Sequence, residues 1–250
     1  MFLIYFCYFL LGLVFGSFFN VVGLRVPLKK SIVSPRSACS NCGHTLHSSE
    51  LVPVFSYVLQ KGKCRNCGTH ISILYPLIEL LTGCLFVFAL IQIGFQMELL
   101  VALSLISLLV IIVVSDLAYM LIPDRILLFF LLVFIIERYF IPLDSWWNSM
   151  IGAVGAFVVL FLIGLVSNGG MGGGDIKLFG VLGFVLGWKL ILITFIIACF
   201  TGTIFGLVSM KARRIHKRNP IPFGPFIGFG GLISYFYGNE LIGWYLSILG

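Results

Sequence analysis

The sequence predicts an all-α integral membrane protein of about eight transmembrane helices with a small cytoplasmic zinc-binding loop, and three observations predict it. Hydrophobic residues fill 60% of the 250 positions and charged residues only 10%, with a mean hydropathy of +1.13, too little polar surface to cover a water-soluble globule. Apolar runs long enough to cross a hydrocarbon core, about 20 residues, recur along the chain. One long polar stretch interrupts them, and it holds four of the seven cysteines in two Cys-x-x-Cys pairs.

Taken in order, the spans are read at roughly 2–24, 73–94, 99–115, 125–141, 148–166, 176–188, 189–210 and 223–248. The first has no Lys or Arg before it and Arg25, Lys29 and Lys30 after it, the pattern of a retained, reversed anchor rather than a cleaved signal peptide. The sixth is short and glycine-rich, so 176–210 reads either as two spans or as one broken unit. With the first span running inward, every basic residue except Arg138 and Lys189 falls in a cytoplasmic loop, including Arg125, Lys177 and the run from Lys211 to Arg218. The positive-inside rule then places both chain ends outside. That placement also accounts for the net charge of +7 without nucleic acid. The partner it implies is the lipid bilayer of the cell membrane, crossed many times.

The polar loop, about residues 25–72, contains Cys39-Ser40-Asn41-Cys42-Gly43 and Cys64-Arg65-Asn66-Cys67-Gly68, with 21 residues between the pairs. Paired knuckles, each followed by a glycine that lets the turn aim backbone amides at sulfur, suit a tetrahedral zinc site formed by Cys39, Cys42, Cys64 and Cys67. Four thiolates close the coordination shell, so the metal is structural. A disulfide framework is disfavoured in a cytoplasmic loop, and a redox-active pair lacks its helix N-terminus. His44, His47 and His70 are the available substitutes for a ligand. Cys7, Cys84 and Cys199 lie in apolar segments and read as packing residues.

Two acids stand out. Asp175 follows the run Gly169-Gly170-Met171-Gly172-Gly173-Gly174 between two apolar stretches, and Asp116 follows the apolar run Leu99 to Ser115, both at the cytoplasmic edge. Ionisable groups are costly there and point to function. A pair of carboxylates held close cannot readily both be charged, which supplies one base to deprotonate water and one acid to polarise a peptide carbonyl. The glycines permit unusual backbone angles and close approach of a substrate backbone. The plainer reading is helix capping, favoured for Asp124 and compatible with catalysis at Asp175. It does not serve Asp116, an anion at a helix C-terminus. Glu79, the other embedded acid, reads as closing the site, serving a second activity, or pairing with Arg or Lys. Glu98, Glu137, Asp144 and Glu240 read as interfacial or outer-loop residues.

In this order the motifs resemble the bacterial type IV prepilin peptidases, the prepilin leader peptidase/N-methyltransferase family of glycine-rich aspartyl membrane proteases. The resemblance runs from Gly16-Ser17-Phe18-Phe19-Asn20 with Arg25-Val26-Pro27, through the cysteine pairs, Tyr75-Pro76 and Glu79-Leu80, to Asp116 with Leu121-Ile122-Pro123-Asp124. Gly172-Gly173-Gly174-Asp175-Ile176-Lys177 and Pro220-Ile221-Pro222-Phe223-Gly224-Pro225 complete it. Gly23 and Phe18-Phe19 depart from the family's usual residues, away from the acids. The resemblance implies cleavage of prepilin or pseudopilin leader peptides after a glycine at the cytoplasmic face, with Asp116 and Asp175 as the catalytic pair. It also implies methylation of the new N-terminus from S-adenosylmethionine, for which no Gly-x-Gly-x-x-Gly after a strand pattern is visible. The compact size suits a competence-pilus enzyme of a Gram-positive bacterium.

The expected division is an N-terminal region, 1–98, as the methyltransferase part, and an aspartyl peptidase membrane domain, 99–250. Three rivals make different demands. An intramembrane protease for other signal peptides, without methylation, accepts substrates lacking a pilin-like N-terminus. A proton-coupled transporter requires a mid-membrane carboxylate and inverted repeats, which the sequence does not display; a structural assembly protein tolerates loss of both acids.

Overall fold

The computed structural model describes residues 1–143, 145–167, 170–212 and 221–249. Asp144, Gly169, Pro220 and the basic residues Arg213, Arg214, Lys217 and Arg218 lie outside the described residues. The chain forms α1 (Phe2–Arg25), a 3-10 turn (Ser48–Glu50), α2 (Phe55–Leu59), α3 (Leu74–Ile93), α4 (Glu98–Tyr119), α5 (Asp124–Phe140), α6 (Trp146–Val166), α7 (Gly173–Lys211) and α8 (Gly224–Leu249). Among the described residues there is no strand, only the isolated bridges Ala38 to Thr45 and Lys63 to His70. The five helices α1, α3, α4, α6 and α7 are long and apolar enough to cross a membrane, and α5 and α8 cover the fourth and last predicted spans.

Two compact units divide at Val114/Ser115, inside α4. In the first, α1 and α3 touch through small residues. A Cβ at Gly12 would lie 2.7 Å from Gly83 Cα, and one at Gly16 would lie 2.8 Å from Glu79 Cα. Glycines four apart on one face let two backbones approach where lipid offers no hydrophobic drive for helix association. Gly23 meets Val114 in the same way, with 2.7 Å to its Cγ1, so the departure from the family's larger residue belongs to a tight contact.

In the second unit, α6 lies antiparallel to the first arm of α7. Gly152 and Gly183 oppose one another so closely that a Cβ on either overlaps the other's backbone, and farther along Gly164 meets Ile176. The predicted spans 176–188 and 189–210 are two arms of one broken helix, and the break is at Gly187, with φ 78° and ψ 172°. Only glycine takes that backbone conformation readily. After the break α8 runs antiparallel to the second arm, with Gly238 against Leu190, Gly230 against Thr194 and Gly202 against Phe223. A break of this kind orphans helix carbonyls. Arg138, buried at the end of α5, donates from Nε and Nη2 to the Val185 carbonyl at 3.1 and 2.8 Å. This explains why Arg138 stands apart from the other basic residues: it caps an interrupted helix. Cys7 and Cys84, read as packing residues, are exposed, while Cys199 is half-buried.

Candidate active site and metal centre

Asp116 does not follow α4, as the apolar run suggested, but lies within its last turns, because the helix continues to Tyr119. The chain then reverses sharply. Met120 takes a positive φ of 52°, and the Ser115 hydroxyl donates to the Leu121 carbonyl at 2.5 Å. The turn sets Ile122 against α7, where a Cβ at Gly174 would sit 2.9 Å from Ile122 Cβ. Glycine at 174 therefore lets the 120–123 turn close onto the first turn of α7, and that contact brings two acids together. Asp116 is buried and Asp175 half-buried, and the two carboxyls lie near enough to interact electrostatically.

Each carboxylate also meets the start of a helix. Asp175 occupies the first turn of α7 and bonds back to the Gly172 backbone. Asp116 Oδ2 accepts the N–H of Gly224, the first residue of α8, at 2.6 Å. An anion at the end of its own helix opposes the dipole, and the positive end of α8 offsets that disadvantage. Gly224 is the functional residue that sequence reasoning quoted without a role. A Cβ there would lie 2.8 Å from Asp116 Oδ2, so the contact requires glycine. The arrangement places two acids of different burial beside exposed glycine backbone at 172 and 173, the components for activating a water against an amide.

Asp124 departs from its predicted role. It is the first residue of α5 and makes no side-chain cap. Its oxygens instead accept from Lys177 Nζ at 2.8 and 2.9 Å. An exposed pair contributes about 1 kcal/mol or less. Its geometric effect is to hold the start of α5 against the α7 turn that carries Asp175.

In the first unit the four predicted cysteines converge, with Sγ atoms all within 4.8 Å of one another. Cys39 to Cys67 is 3.8 Å and Cys42 to Cys64 is 4.0 Å. Zinc–sulfur bonds of about 2.3 Å give a tetrahedral edge of roughly 3.8 Å, so the set fits zinc. The two knuckles repeat one geometry. The Gly43 and Gly68 amides return to the Cys39 and Cys64 carbonyls, both at 2.9 Å, and both glycines hold a φ near +70° (69° and 71°). Asn41 and Asn66 each donate across to the opposite knuckle, onto Cys67 and Cys42 sulfur. The Thr69 hydroxyl and backbone push the Cys67 thiol down to about 6, and backbone N–H groups of Cys42 and Asn41 lower Cys39, whereas Cys64 is shifted upward.

His44 turns to Glu50 instead, with Nε2 3.5 Å from Oε2. The His47 N–H donates to the same oxygen at 2.9 Å and, with His44, holds the Glu50 carboxyl below its ordinary range. Glu79 takes the Val54 N–H at 2.8 Å and the Ser17 hydroxyl, rather than a basic side chain, among the described residues.

Two family models match, the Bacterial Peptidase A24 N-terminal domain over residues 10–93 and the Type IV leader peptidase family over residues 103–207. The chain is 45% identical over 240 residues to a prepilin leader peptidase/N-methyltransferase of Bacillus subtilis, covering 96% of this chain and 97% of the relative. The chain belongs to the type IV leader peptidase family. Proteins of the same description from Aeromonas salmonicida and Legionella pneumophila are 34% and 33% identical over 274 and 267 residues. These matches span 96% and 95% of this chain and 93% of each relative. No solved structure gives a significant match. In this member of the type IV leader peptidase family, the N-terminal match takes in α3, the cysteine loop and most of α1. The second match takes in Asp116 and Asp175, and Gly224 falls outside both.

Proposed function

We propose that the protein is a multi-pass membrane aspartyl endopeptidase that removes the leader peptide of type IV prepilins or pseudopilins and then N-methylates the new N-terminal residue. The observation that carries the reading is the meeting of Asp116 and Asp175 at two helix starts, in a chain whose relatives are prepilin leader peptidase/N-methyltransferases. One carboxylate takes a proton from water as its oxygen attacks the scissile carbonyl. The other, protonated, hydrogen-bonds the carbonyl oxygen, and the amine leaves with a proton returned from the pair. The exposed glycines beside Asp175 allow an extended substrate backbone to approach.

Arg125 and Lys177, near the starts of α5 and α7, support a cytoplasmic face for the site. The four-cysteine site takes structural zinc. The methyl donor of this reading is S-adenosylmethionine, and the region up to residue 98 is the part assigned to it. The described residues hold no strand-to-helix glycine turn of the kind that cradles such a donor, so no step is routed through a donor site.

The test is a cleavage assay in membranes with a panel of prepilins and pseudopilins, reading the new N-terminus by mass spectrometry. The expected product is trimmed after a glycine and heavier by about 14 Da, one methyl group. A trimmed product without added mass confines the function to proteolysis, and cleavage of signal peptides that lack a pilin-like N-terminus favours the broader intramembrane protease. Gly224→Ala is expected to lower the cleavage rate about 100-fold by displacing Asp116, with zinc content unchanged. An undiminished rate would separate the α8 contact from catalysis.

A further inference from the structure

The cysteine loop carries an apolar ridge that its own zinc fold leaves outside. Phe55, Val58 and Leu59 share one face of α2 at spacings of three and four and are 59, 66 and 77% exposed, and Leu51 and Val52 extend the ridge. The opposite side of α2 is the packed one. There the Tyr57 hydroxyl lies 3.4 Å from the Ile71 carbonyl and closes against Gly62. Exposed Lys61, Lys63 and Arg65 follow the ridge directly. Over residues 25–72 the loop holds seven basic residues and a single acid, the buried Glu50.

The level of this ridge relative to the bilayer is set by Glu79. Its Oε2 accepts the Val54 N–H at 2.8 Å, and Val54, immediately before α2, holds a positive φ of 62° that β-branched residues rarely adopt. Glu79 lies five residues into α3, about 7.5 Å along the axis at 1.5 Å per residue. Helical side chains lean toward the N-terminus, so the carboxylate reaches back to the mouth of the helix. The 20 residues of α3 match the hydrocarbon thickness. The bond to Glu79 therefore fixes the start of α2 at the boundary between acyl chains and headgroups.

We propose that α2 is an interfacial helix, with Phe55, Val58 and Leu59 in the outer acyl region and Lys61 and Lys63 on anionic headgroups, so that the zinc knuckles lie against the membrane surface. An apolar face bordered by cations is the pattern that binds an acidic lipid surface. The inference rests on α3 spanning the membrane and is independent of any peptidase or methyltransferase activity.

The test uses the full chain in lipid nanodiscs of phosphatidylcholine with or without phosphatidylglycerol, and a photo-reactive benzoylphenylalanine placed at Val58, at Leu59 or at Tyr57. Val58 and Leu59 are expected to give lipid adducts, and Tyr57, on the packed face, to crosslink within the loop. Adduct yield is expected to fall several-fold on removing phosphatidylglycerol, in Lys61→Gln/Lys63→Gln, and on adding salt to the protein without those two substitutions, which tests the charge contribution without altering the loop. Equal lipid labelling at all three positions, crosslinks to a second copy in place of lipid, or a yield indifferent to lipid charge and salt would overturn the proposal.

Discussion

Asp116→Asn and Asp175→Asn are each expected to reduce leader-peptide cleavage by about 1,000-fold or more, the range lost when a positioned acid or base is removed. The asparagine variants are the informative ones. An amide oxygen at 116 still accepts the Gly224 N–H that Asp116 Oδ2 takes at 2.6 Å, and one at 175 still serves the Gly172 backbone. The surroundings are retained and only proton exchange is lost. In the proposed mechanism the carboxyls act as one unit, so the double variant is expected to be no slower than either single one. Asp124→Asn supplies the contrast. It weakens an exposed pair with Lys177 and is expected to cost a few-fold in rate or amount. The measurement is the initial rate of prepilin trimming in membranes, normalised to inserted protein. Retention of a tenth of the unsubstituted rate by either catalytic variant would move that acid from chemistry to helix capping.

What could be read from the chain beforehand divides by sequence distance. The apolar runs were legible because a membrane span is a local property, and the observed helices begin and end near the predicted spans, apart from the extension of α4 through Asp116. The cysteine cluster was legible because two knuckles of fixed spacing and a following glycine leave the sulfurs few other arrangements. The short sixth span signalled a broken helix, although its hinge at Gly187 depends on a conformation that the glycines at 180 and 183 have equally available in sequence. Contacts that bring remote segments together were not legible. Gly224 meets Asp116 across 108 positions, Lys177 meets Asp124 across 53 and Arg138 meets Val185 across 47. Each had a local explanation that competed with the real one: a loop motif, a helix cap and a topology signal. The strongest hint was the misplacement of Asp116. An anion at a helix C-terminus needs a compensating donor, and that donor was the start of α8.

Cys64→Ser is expected to release the metal and melt the 25–72 loop while leaving cleavage within a few-fold of the unsubstituted protein. Cys64 is the buried sulfur of the four, and beyond the Glu50 contacts, the Val54–Glu79 bond and Tyr57 the loop has little else to hold it. It has no sheet beyond two isolated bridges, one short helix, and an apolar ridge facing outward. A loop so assembled draws its folding free energy from zinc, about 10–16 kcal/mol in small zinc-dependent folds, and three sulfurs with an open position forfeit much of it. The acids belong to the other compact unit, and the proposed mechanism gives the knuckles no part in their chemistry. The measurements are zinc per chain, expected to fall from one to near zero, and protease nicking within 25–72, expected to appear only in the variant. Product mass is then read on the same samples. If the region up to residue 98 serves methyl transfer, the variant yields trimmed, unmethylated product. Loss of trimming along with the metal would make the zinc loop part of the peptidase. Full methylation after zinc loss would remove the loop from both activities.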